Sequence, residues 1–285
     1  MTLRKRCLPG GWYPLQEALA RDFLDTLPQS GRRSAAAAVA PHAGWFYSGR
    51  IAGASVAALD AEAETVAVIG GHLGSGMSPL FFEEDGVATP LGPLEIDREF
   101  RDVLQKELAG YVFPQHTDAD RYQDNTVEIL LPIVAYFFPK ARILPFRLPA
   151  EAASFEAGKA INRIAEWLER KIVVLGSTDL THYGESYGFT PQGSGKRALE
   201  WMRNVNDRAF IQAVLEGVPE TILQRAEQDR SACSAGAVLG ALGFAQARGA
   251  DKGELLVYGV SADVYSGKGV PEDFVGYGAI AWYKG

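Results

Sequence analysis

The chain has only four histidines among 285 residues, and three of them follow apolar, strand-like runs. His42 ends "AAAAVAPH", His72 ends "TVAVIGGH", and "KIVVLGSTDLTH" delivers Asp179 and His182. Open α/β sheets bind ligands at the carboxyl ends of their strands. If the first two runs are adjacent parallel strands, about 4.8 Å apart, their imidazoles can reach one ion at roughly 2.0–2.1 Å each. His42 and His72 are therefore read as metal ligands. An imidazole with an unperturbed pKa near 6.5 suits proton transfer at neutral pH, so His182 is the candidate acid or base. Asp179 is then the residue that orients it or stabilises charge on a neighbour. For each histidine the competing reading is a core residue with a satisfied hydrogen bond.

The remaining reactive residues divide less cleanly. Two cysteines, Cys7 and Cys233, rule out a disulfide framework. Cys233 lies in "DRSACSAGAVLGALGFA", where Asp229 or Ser231 is expected to cap a helix whose small residues allow close packing. A thiol in a first helical turn tends toward thiolate. A buried structural cysteine is an equal reading. Cys7, in a terminal segment without histidine or acid pattern, reads as structural, and His116 reads as a loop residue. "GGHLGSG" lacks the Gly-Lys-Ser/Thr of a P-loop, so it is read as a tight turn that lets His72 approach a ligand.

The elements needed to hold these residues are legible as alternating runs. "AAAAVAP", "TVAVIGG", "ARILPFRL", "KIVVLGS" and "ELLVYGVS" are continuous apolar strands, the kind covered on both faces of a parallel sheet. "SGRIAGASVAALD", "AGKAINRIAEWLER" and the segment from Ser231 read as helices between them, and "YGAIAWY" as a final strand. Trp12 to Leu27 reads as an amphipathic helix with Leu15, Leu19, Phe23 and Leu27 at helical spacing. "LFFEEDGVATPLGPLEID" reads as a hairpin. A helix near Asp124 is expected to be short or kinked by Pro132. The reading is an α/β single domain over residues 1–285, with a mostly parallel central sheet flanked by helices.

Composition sets limits on function. Hydrophobic residues at 47% and charged residues at 22% fit an ordinary globule. A formal charge of −7 disfavours nucleic-acid binding, and the basic start Arg4, Lys5 and Arg6 reads as a solvated terminus. The apolar stretch from Ile129 contains Pro132 and falls short of the roughly 20 residues that cross a bilayer. With no signal-peptide core at the start, the expected location is cytoplasmic.

Taken together, "GGWYP", "APHAGWFYSG", "TPLGPLEID", "NTVEILLP", "STDLTHYG" and "VGYGAIAWY", in this order along the whole chain, resemble the Memo family, whose microbial members are called AmmeMemoRadiSam system protein B. The resemblance implies a fold similar to class III extradiol dioxygenases, with a metal or redox site on His42, His72 and Cys233 and with Asp179 and His182 beside it. Two histidines with a thiolate imply iron or copper, with zinc also eligible. It further implies a metal-binding, dioxygenase-like oxidoreductase, or alternatively a non-catalytic module whose cleft holds a small molecule, a peptide or a partner protein. Phosphotyrosine peptides, a radical-SAM protein and an AMMECR1-like protein are the partners the family suggests. Asn125 stands where many relatives carry histidine, Ser234 where they usually carry glycine, and two glycines precede His72 where relatives have a Pro-containing turn. Asn125 has two readings, a helix N-cap or a residue of the cleft.

Overall fold

The computed structural model describes residues 1–28, 34–113 and 117–285, so the loop expected at His116 lies outside the described residues. Strand β1 (Leu3–Arg4) and helix α1 (Glu17–Leu24) precede β2 (Ala37–Ala40), which leads through α2 (Trp45–Ala58) to β3 (Thr65–Leu73). Then come β4 (Leu80–Phe81), the hairpin β5 (Gly86–Thr89) and β6 (Gly92–Glu95), α3 (Arg98–Glu107) and β7 (Asp118–Ala119). The middle continues with α4 (Asn125–Glu128), α5 (Leu131–Phe137), β8 (Arg142–Pro149), α6 (Ala153–Trp167) and β9 (Ile172–Ser177). The chain finishes with β10 (His182–Tyr183), α7 (Gly195–Trp201), α8 (Asp207–Glu216), α9 (Pro219–Gln228), α10 (Ala235–Ala247), β11 (Lys252–Val260) and β12 (Phe274–Tyr283).

Continuous apolar strands demand cover on both sides, and alternate residues of the central strands face two separate cores. Ala37, Val39, Ala67, Ile69 and Val174 join the core built with α3, α6, α8 and α10. Ala38, Ala40, Val66, Val68 and Val173 join the core built with α1, α2 and α5. The large sheet runs β10-β12-β2-β9-β3-β8-β4-β7, with β11 also paired to β12. Its centre, β2-β9-β3-β8, is parallel. Its flanks are antiparallel where β12 meets β2 and β4 meets β8. The architecture is α/β, with a sheet between helical layers.

Four sequence expectations are corrected here. First, β2 and β3 are not neighbours, because β9 lies between them. Second, β11 is not a buried parallel strand. It pairs antiparallel with β12, and Leu255 and Val257 are exposed because only one of its faces meets a core. Third, the first helix is confined to Glu17–Leu24 and buries Ala20 and Leu24, whereas Leu15 and Leu19 are exposed. Fourth, of the basic start only Lys5 and Arg6 are exposed: Leu3–Arg4 pairs with β5, and the Arg4 guanidinium lies over Phe82 and donates to the carbonyls of Asp120 and Tyr122. Pro132 sits in the first turn of α5, after a break from α4, as a helix-starting proline should.

Candidate metal centre

Pro41 carries the chain off the end of β2, and His42 turns inward with 1% of its surface exposed. Its Nδ1 lies 2.9 Å from Ser177 Oγ, at the end of β9, and its Nε2 lies 3.2 Å from Cys233 Sγ. The backbone is fixed as well. The His42 N–H donates to Asp179 Oδ1 at 2.7 Å, and its carbonyl accepts from Asn125 Nδ2 at 2.9 Å.

His72 reaches the same place from two strands away. The pairing of β3 with β8 is irregular between Gly70 and Leu73, and His72 adopts φ +57°, a left-handed conformation costly for a residue other than glycine. A side chain at Gly70 would strike Thr126 and Val127, and one at Gly71 would strike Ser234. The glycine pair therefore lets β3 pass closely between the starts of α4 and α10. Ser234 then accepts from the His72 N–H at 3.3 Å. The imidazoles of His42 and His72 meet edge to face with centroids 4.9 Å apart. The strand that separates β2 from β3 is β9, and its last residue, Ser177, meets His42 Nδ1.

The donor atoms of His42, His72 and Cys233 all lie within 4.8 Å of one another. These residues fit a metal ion. Each imidazole has its Nδ1 engaged on the far side, by Ser177 or by Asp124 at 3.0 Å, which leaves Nε2 for coordination. Two imidazoles and a thiol suit zinc, copper or iron better than the hard, oxygen-seeking cations. Burial opposes a charged ring at His72, but the Asp124 hydrogen bond and the neighbouring Cys233 outweigh it, and its pKa is pushed up to about 9. An ion taking Nε2 would displace that proton. Asp124 is itself half-buried, yet His72, Thr126 and Arg147, the last 3.2 Å away, hold its carboxyl well below the usual carboxylate range.

Asp179 and His182 border the triad. Asp179 is 3% exposed; one oxygen holds the His42 backbone, the other lies 4.0 Å from His42 Nε2, and its carbonyl accepts from the Cys233 N–H at 3.3 Å. His182 opens β10 and packs against Tyr187 with ring centroids 5.0 Å apart. Burial holds its pKa below the ordinary histidine value, Asp179 opposing and the other two imidazoles assisting that shift, so His182 is neutral at pH 7. His42, His72, Asn125, Asp179 and His182 line one cleft of about 850 Å³.

Cys233 is not in a first helical turn, because α10 begins at Ala235 with Ser234 at its N-cap. Neither expected cap acts there: Asp229 closes α9, and the Ser231 hydroxyl donates to the Arg225 carbonyl. The thiol is held instead by His42 and by Thr178 Oγ1 at 3.7 Å. Cys7 is tied to Glu128, with its thiol donating at 2.7 Å, and burial together with that bond pushes its pKa up to about 11. It is a protonated structural thiol. Asn125 belongs to the cleft, and the N-cap of α4 is Asp124. The sequence reading gave no role at the site to Asp124, Ser177, Thr178 or Ser234. For Asp124 the available signal was an Asp two residues ahead of a Thr at a helix start, a capping pattern.

An α/β sheet that brings two histidines from its strand ends against a cysteine just ahead of a helix defines a class of protein with a cleft fit for a metal ion, and comparison identifies the family. The profile described as "Memo-like protein" matches residues 4–281, and the chain belongs to the Memo family. A MEMO1 family protein of Thermococcus onnurineus is 32% identical, covering 99% of this chain and 100% of its own length. One from Methanococcoides burtonii is also 32% identical, covering 98% of this chain and 99% of its own length. A crystal structure of an uncharacterised Escherichia coli K12 protein shares the fold, with a TM-score of 0.50 over 84% of this chain and 98% of that one at 14% identity. Among the described residues, no helix is long and apolar enough to cross a membrane.

Proposed function

We propose that the cleft is a metal-dependent redox centre of dioxygenase-like architecture, with iron or copper, or in third place zinc, held by Nε2 of His42, Nε2 of His72 and Sγ of Cys233. The observation that carries this reading is the approach of the three donor atoms to within 4.8 Å while both Nδ1 atoms are engaged elsewhere. A bound iron or copper ion would supply electron transfer and polarise a ligand oxygen. The chain's own residues do the rest. His182, neutral at pH 7, accepts a proton from an acidic group of the ligand. Asp179 keeps His42 and Cys233 in place through their backbone amides.

The test is elemental analysis of protein purified without oxygen, alongside His42→Ala and His72→Ala. The expected result is a metal ion in the parent that is lost in either variant, with the fold retained, because neither ring belongs to the apolar cores on the two faces of the sheet. Metal retained in both variants would overturn the reading. A second reading, a cleft that holds a peptide or partner protein without turnover, draws on the exposure of Phe46 (69%) and Tyr47 (49%) beside His42. Metal-free protein that binds peptide would favour it.

A further inference from the structure

We infer that the cleft selects a small aromatic ligand bearing a cationic amine and discriminates against anionic ligands. This rests on the reading of the cleft as a ligand-binding centre and adds the charge and shape of what enters it. Its walls include Trp12, Phe46, Tyr47, Tyr187, Tyr265 and Tyr277. Such faces receive a planar ring, and their negative quadrupoles attract cations. Among the described residues that line the cleft there is no lysine or arginine, whereas Asp179 and Asp273 are both present. The ring nearest the second oxygen of Asp179 is His42, at 4.0 Å. Asp273 is held by neutral groups, the Ser186 N–H at 3.1 Å and the Ser186 hydroxyl at 2.6 Å, and among the described residues it makes no ion pair with lysine or arginine.

Three other sources of positive charge fail to reverse this balance. The His72 ring, which holds its proton up to about pH 9 in the absence of metal, is paired with the Asp124 carboxylate at 3.0 Å. The start of α2 borders the cleft, but two of its first three amides are engaged: the Trp45 N–H donates to the Trp12 carbonyl at 2.8 Å and the Tyr47 N–H to the Gly44 carbonyl at 2.8 Å. A divalent ion at the triad would be outweighed by the Cys233 thiolate and the two carboxylates. A phosphate or carboxylate entering here would meet none of the guanidinium forks that usually hold such groups. An ammonium group, by contrast, can pair with Asp273 while its ring lies against the aromatic walls.

The experiment is calorimetric titration of the full chain, both metal-free and metal-loaded, with three probes that share one phenol ring. They are tyramine, its uncharged ethyl analogue and its propionate analogue. Tyramine should bind about tenfold more tightly than the uncharged probe, with the propionate weakest, because a cleft of one sign concentrates the opposite charge. Added salt should narrow the gap between the charged probes. Asp273→Asn should abolish the preference for tyramine over the uncharged probe, and Asp273→Glu should retain it. Equal or tighter binding of the propionate, a preference unchanged in Asp273→Asn, tighter binding of a phosphotyrosine peptide, or no binding of any probe would each overturn the inference. The charge preference in protein that takes up no metal would uphold it while removing the metal reading, so the two can fail separately.

Discussion

Asp124 divides its carboxylate between a helix and a histidine. Oδ1 accepts from the Thr126 N–H at 2.9 Å and so caps α4, while Oδ2 meets His72 Nδ1 at 3.0 Å and turns Nε2 toward the triad. Asparagine caps helices as well as aspartate does, so Asp124→Asn separates the two roles. The expected outcome is an unfolding midpoint close to the parent's, because Arg147, 3.2 Å from Asp124, keeps its pair with Asp120 at 2.7 Å, and a metal affinity lowered about 10–100-fold, the usual loss when a ligand histidine loses its carboxylate partner. Chelator competition measures the affinity, and an unchanged value would make Asp124 a cap alone. His42 and His72 were legible in the sequence because each follows an apolar run that had to be a buried strand. Asp124 was not, since its pairing with His72 depends on how closely β3 passes α4. The two glycines that permit this approach stood next to His72, yet they read as a turn, because a glycine reports the space it needs without naming the neighbour that fills it.

The placement of Cys233 depends on α10, and α10 depends on its glycines. Gly158 of α6 lies against the backbone of α10, where an added Cβ would strike the Gly240 carbonyl and come within 2.6 Å of the Phe244 nitrogen. Neither is the end of a flexible side chain that could step aside, so Gly158→Ala must push the helices apart. Overpacking of this kind costs about 1–3 kcal/mol. Denaturant unfolding should register that loss, and metal affinity should fall with it, because Ser234 and Cys233 lead directly into α10. Normal stability with normal affinity would mean that α6 moves freely over α10. The small-residue character of "SAGAVLGALGFA" was visible in the sequence as a sign of close packing, and the central strands were visible as apolar runs. Strand order was not. The run-up to His42 and the run-up to His72 look like a neighbouring pair, and nothing local in either says that β9 will be inserted between them. For β11 the continuous apolar run misled, since an antiparallel partner and one open face left Leu255 and Val257 in solvent.

Across the whole molecule, the loop that delivers Asp179 and His182 is fastened to the far end of the chain through one buried carboxylate. Asp207, at the start of α8, accepts from the Thr181 N–H at 3.1 Å and from the Tyr258 hydroxyl of β11 at 2.7 Å. Its side chain occupies the space that a Cβ at Gly276 of β12 would need. Asn206 reinforces the same point by donating to Thr181 Oγ1 at 2.9 Å. Burial dominates the chemistry of Asp207 and, despite the hydrogen bonds from Thr181 and Tyr258 and the charge of Arg203, raises its pKa from 3.8 to about 6. The folded protein therefore holds this proton more tightly than the unfolded chain does. Its contribution to stability is complete below about pH 4 and is lost as pH rises through 6. A shift of this size corresponds to about 3 kcal/mol at roughly 1.4 kcal/mol per pH unit. Asp207→Asn keeps the shape and removes the titration. Measured by denaturant unfolding from pH 4 to pH 7, the parent should lose stability relative to the variant by an amount of this order, most of it between pH 4 and pH 6, where the unfolded chain has given up this proton and the folded protein still holds it, with the loss levelling off above pH 6. If the two stability profiles run parallel over that interval, Asp207 is not the group that links the loop beside the triad to pH.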